Sequence, residues 1–74
     1  MNENIVNPDI AMELEGKYPG LMEHIHQLSP EFYQDGEKWC CLSGYNPAQG
    51  VVGYGSTQKD ALDDWARSLL KLKV

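Results

Sequence analysis

Seventy-four residues leave room for one core and no second domain. At 42% hydrophobic content the chain is apolar enough to fold without a metal. Its longest apolar run, Trp39-Cys40-Cys41-Leu42, is far short of the roughly 18 residues of a membrane span. A net charge of −5 sets nucleic-acid binding at a disadvantage, because an acidic surface repels phosphate.

That charge is unevenly spread. Residues 1–37 carry eight acids against Lys17 alone, whereas residues 38–74 carry three acids against five bases. Glu13 and Glu15 in the acidic half are candidate contacts for a basic partner; acidic residues of this kind also serve simply as a solvated face. Met1-Asn2-Glu3-Asn4 lacks the basic and apolar regions of a secretory signal, so a cytoplasmic location is expected.

Along the chain, Asn7-Pro8-Asp9 is a helix start: a capping side chain, a proline suited to the first helical position, and an acid that complements the dipole. Ile10, Ala11 and Leu14 share a face, and the punctuation Gly16…Tyr18-Pro19-Gly20 ends the element. From Leu21 to Leu28 the pattern admits a helix or a strand. Leu21, Ile25 and Leu28 at i, i+4 and i+7 favour a short helix, closed by Ser29-Pro30.

From Glu31 the period becomes extended. Glu31-Phe32-Tyr33-Gln34 has strand composition, Asp35-Gly36 reads as the two residues of a hairpin turn, and Glu37–Ser43 returns. A turn-rich segment, 44–50, leads to a third strand, Val51-Val52-Gly53-Tyr54. Thr57 and Asp60 then form a capping-box-like start to the clearest helix. Its apolar face is Ala61, Leu62, Trp65, Ala66, Leu69 and Leu70, with Asp63 placed to pair with Arg67.

The expected fold is therefore α+β. A three-stranded antiparallel meander (31–55) is followed by an amphipathic helix (57–73), with a helical segment (8–28) ahead of it. Phe32 and Tyr33 divide between the two sheet faces, as do Trp39 with Cys41 and Cys40 with Leu42, so both faces are apolar. One helix covers one face. The N-terminal segment is expected to cover most of the second.

No residue set announces catalysis. His24 and His26 are two apart, about 200° around a helix, and Cys40 and Cys41 are adjacent, so the four do not converge as zinc ligands. The cysteines read as reduced small hydrophobes. Gly53-Tyr54-Gly55-Ser56-Thr57 lacks the lysine of a P-loop and the third glycine of a dinucleotide fingerprint; a tight turn and a cap explain it. Ser43 and Ser56 have no nucleophile-elbow context, and Asp63 and Asp64 sit on a helix exterior. No cofactor, metal or small-molecule ligand is indicated. Tyr33, Tyr45 and Tyr54 remain as candidate interface anchors.

The runs Phe32–Leu42 and Gly53–Leu62, with the DG turn, the glycine-containing third strand and the Thr57…Asp60-Ala61-Leu62 helix opening, resemble the βββα core of HicB-like antitoxin domains. The likeness covers about residues 31–72. It implies a non-enzymatic and often oligomeric binding domain, in a chain that is also similar in texture to small bacteriophage accessory proteins. Family members usually begin at the first strand, whereas thirty residues precede it here. The leading expectation is an intracellular protein-binding module whose partner is another protein or a second copy of itself. The alternative is a nucleic-acid-binding module using Lys59, Arg67, Lys71 and Lys73, or an acidic mimic of nucleic acid.

Overall fold

The computed structural model describes residues 6–44 and 50–72. In chain order it holds α1 (Pro8–Glu15), α2 (Leu21–Leu28), β1 (Glu31–Asp35), β2 (Lys38–Ser43), β3 (Val51–Gly55) and α3 (Gln58–Leu72). The strands form one antiparallel sheet of order β1-β2-β3. The α+β fold is thus as the residue pattern indicates, with a helix at the C-terminus and two short ones at the N-terminus.

Local chemistry explains the boundaries. Asn7 caps α1 by accepting the Asp9 amide at 2.8 Å. Residues 21–28 are helical. Gly20, at φ 92°, turns the chain into α2 but has no side chain to cap it. Glu15 does so instead, its carboxylate accepting the Gly20 and Met22 amides at 3.0 Å each. At the start of α3 the Thr57 hydroxyl accepts the Asp60 amide at 3.1 Å.

The β1–β2 turn is displaced by one residue from the expected Asp35-Gly36. Asp35 stays in the ladder opposite Lys38, leaving Gly36-Glu37 as the loop. A turn centred on Asp35-Gly36 needs positive φ at both residues. Here Gly36 alone has it, at 64°, the pattern of a II′ hairpin with glycine first. The displacement moves every cross-strand pair by two residues, so each side chain keeps its face.

The inner face is built around two glycines. A Cβ at Gly53 would stand 2.1 Å from the Trp65 nitrogen, and one at Gly55 would stand 2.4 Å from Asp60 Cβ. Their absence lets α3 lie directly on β3 and adjoin β2. Leu62, Trp65 and Ala66 are thereby buried against Phe32 and Cys41. Trp65 Nε1 donates to the Ser43 hydroxyl at 3.1 Å, which satisfies both polar groups inside the core.

One placement differs from expectation. The N-terminal helices do not cross to the second face of the sheet; Leu14 and Leu21 enter the same buried cluster as Phe32 and Trp65. The reason is geometric. With α3 drawn onto β3, the inner side of the sheet toward Phe32 needs further cover, and α1 and α2 supply it. Polar contacts fix them there: Tyr18 Oη donates to Asp63 at 2.5 Å, Lys17 pairs with Asp63 at 3.1 Å, and Lys59 pairs with Glu13 at 3.1 Å.

Candidate interaction face

With all three helices on one side, none of the described residues covers the outer face of the sheet. Alternation along each strand decides what it displays. Across the middle runs the row Tyr33–Cys40–Tyr54, one residue from each strand in direct register. Glu31–Leu42–Val52 forms the row on one side, and Asp35–Lys38 the row on the other. Tyr33 is 48% exposed and Tyr54 53%, whereas Phe32, next to Tyr33 in the chain, is fully buried. The contrast between neighbours assigns the two faces.

Between the tyrosines lies a hollow of about 560 Å³, lined by Tyr33, Asp35, Lys38, Trp39, Cys40, Leu42 and Tyr54. Its walls are mainly apolar, with one acid and one base. Tyr33 Oη donates to Glu31 at 3.1 Å, and this bond raises the phenol's pKa. Burial, then the nearby Asp35, raises the Cys40 thiol, so it stays protonated near neutrality. On the inner face burial pushes Cys41 up to about 12. Neither sulfur is a ready nucleophile.

The expected interface residues are thus split. Tyr33 and Tyr54 meet on one face. Tyr45 lies outside the described residues. Glu13 and Glu15 are elsewhere, and both have internal work: Glu13 pairs with Lys59, and Glu15 caps α2. The amides of Met22 and Gly20 hold the Glu15 carboxyl below its ordinary value. Cys40 and Leu42 join the surface, and the two-faced apolar pattern of β2 is their signal; Trp39 borders the hollow but packs edge-on against Phe32 toward the core.

The basic residues of α3 are also committed. Arg67 lies 3.3 Å from Asp64 and 3.9 Å from Asp63, and Lys59 is paired with Glu13. Lys71 is exposed, and Lys73 lies outside the described residues. These cations therefore do not stand as an uncompensated stripe. Among the described residues, no group of three or more His, Cys, Asp or Glu could hold a metal ion. No described helix is long and apolar enough to cross a membrane. No family model, curated protein or solved structure matches the chain.

Proposed function

We propose that the protein is a small non-enzymatic protein-binding module, with the outer face of the sheet as its docking surface. The observation that carries this reading is the Tyr33–Cys40–Tyr54 row, with two tyrosines about half-exposed beside a mainly apolar hollow. Tyrosines beside a concave apolar surface are efficient anchors, since each supplies large contact area with few rotatable bonds. The resemblance to HicB-like antitoxin domains agrees with a non-enzymatic binding role and suggests an antitoxin-like setting, while the chain's texture suggests a bacteriophage accessory protein. Nucleic-acid binding is the weaker reading, because Lys59 and Arg67 already face carboxylates.

The test is capture from bacterial lysate by the full chain and by the double variant Tyr33→Ser/Tyr54→Ser. Both side chains are outside the core, so the variant is expected to melt within a few degrees of the parent. It should nevertheless lose the captured protein. Capture of the same protein by the variant, or by neither chain, contradicts the proposal.

A further inference from the structure

The docking reading leaves open what chemistry the outer face prefers, and the charges around the hollow constrain it. Asp35 lines the hollow, Glu31 lies on the same strand and face, and Glu37 occupies the adjoining turn. Among the described residues Lys38 is the lone base lining it. Among the described residues neither Asp35 nor Lys38 takes part in an ion pair, so both charges are available to a partner. The surround is therefore acidic by two charges, on a chain that is itself at −5.

The aromatic groups point to the same sign. Tyr33 and Tyr54 stand on the outer strands with Cys40 between them, two strand spacings apart, or roughly 10 Å. That gap admits one extended side chain with a phenol on either side. A cation near the π-face of tyrosine is attracted by the ring quadrupole, and the attraction grows as water is excluded. The protonated Cys40 thiol adds no charge of its own.

A second copy of this chain packed symmetrically about the central Tyr33–Cys40–Tyr54 row is a poor occupant. In a face-to-face two-fold packing with the axis running along β2, Lys38 meets its own copy. With the axis across the strands, Glu31 meets Asp35 of the copy. Edge pairing of β1 with β1 about Tyr33 again places Glu31 opposite Asp35, twice. Like charges in direct opposition select against each arrangement, whereas a basic chain meets Glu31, Asp35 and Glu37 without that cost.

We infer that the outer face of the sheet receives a basic peptide segment of a partner protein, with an arginine or lysine side chain seated between Tyr33 and Tyr54 against Asp35. This rests on the docking reading and adds the chemical class of the partner. Lys38 opposes the cation and limits affinity, which gives the proposal a signed test.

Fluorescence anisotropy with a labelled decapeptide of alternating arginine and serine, and with its glutamate–serine counterpart, reads the preference directly. The full-length chain should bind the arginine peptide and not the glutamate one. Lys38→Glu should tighten binding by about threefold and Asp35→Lys weaken it by about threefold, the scale of one exposed charge contact. Tyr54→Ser should weaken it by about fivefold through the lost ring contact. All three positions are exposed, and circular dichroism confirms that each variant is folded. Equal or tighter glutamate-peptide binding, charge swaps of the opposite sign, or no arginine-peptide binding at millimolar concentration overturns the inference. So does light scattering that shows a dimer abolished by Tyr54→Ser. If the Tyr33→Ser/Tyr54→Ser variant loses its lysate partner while the charge swaps have no effect on capture, the docking reading stands and the basic-partner inference alone falls.

Discussion

The carboxylate of Asp64 on α3 accepts the backbone amide of Tyr54 on β3 at 3.0 Å. Since β3 is an edge strand among the described residues, that amide has no described strand beyond it to bond with. Asp64 occupies it, closes one template for unwanted strand pairing, and ties the helix to the strand bearing the exposed tyrosine. Asp64→Ala should release the amide. Hydrogen exchange at Tyr54, followed by NMR, is expected to accelerate about tenfold, the scale of one hydrogen bond to a charged group. Unchanged exchange would mean that the bond adds no protection.

Gly53 fixes the distance between α3 and the sheet. In Gly53→Ala the new methyl would meet the Trp65 nitrogen at 2.1 Å and the Ala61 carbonyl oxygen at 2.5 Å, both backbone atoms that cannot rotate away. The helix must lift, loosening Trp65 and Leu62 together. A loss of about 3 kcal/mol is expected, which for a domain of this size lowers the thermal midpoint by more than about 10 °C. A melting curve that overlays the parent's would show that the helix can move without loss.

Acid should unlock the N-terminal helices. Burial alone would raise the Asp63 carboxyl, but the Tyr18 hydroxyl, the Lys17 ammonium and Arg67 outweigh it and hold the group below its ordinary 3.8. Glu15 lies below its ordinary 4.5 through its bonds to the Met22 and Gly20 amides. A carboxyl depressed in the folded state contributes stability above its unfolded value and loses it as pH falls through the folded one. The thermal midpoint should therefore drop between about pH 5 and about pH 2. Asp63→Asn should lower the midpoint near neutrality and flatten that slope; an identical slope in the variant would place the acid sensitivity elsewhere.

The two adjacent cysteines should behave differently toward a thiol reagent. Cys40 is partly exposed on the outer face, whereas Cys41 is fully buried with its thiol pushed up to about 12. Native protein at neutral pH should be labelled slowly and at Cys40, with Cys41 reacting after denaturation. Mass spectrometry of the labelled peptide distinguishes them. Equal labelling of both in the native state would contradict the assignment of the two faces.

Much of this was legible in the residues. Asn7-Pro8, the Thr57…Asp60 start and the Ala61–Leu70 stripe each state a local rule that the fold obeys. The alternation in Tyr33, Trp39, Cys40 and Leu42 correctly divided the sheet into two apolar faces. Which face the N-terminal helices would cover was not legible, because it depends on how far α3 sinks onto Gly53 and Gly55. The cap on α2 is not legible in the sequence for a related reason. Glu15 reaches it from five residues upstream, across a turn whose shape no local signal states. Its carboxylate caps α2 and that of Glu13 pairs with Lys59, intramolecular bonds that no local signal in the sequence states.

The docking role of the outer face is tested most directly by photo-cross-linking. A benzophenone amino acid replaces Tyr54 in one version of the full chain and Met12, 66% exposed on α1, in another. Both sites accept a bulky probe without disturbing the core. A specific cross-linked protein is expected from position 54 and not from position 12. Equal yields from the two positions, or no product from position 54, would contradict the assignment of the Tyr33–Cys40–Tyr54 face as the binding surface.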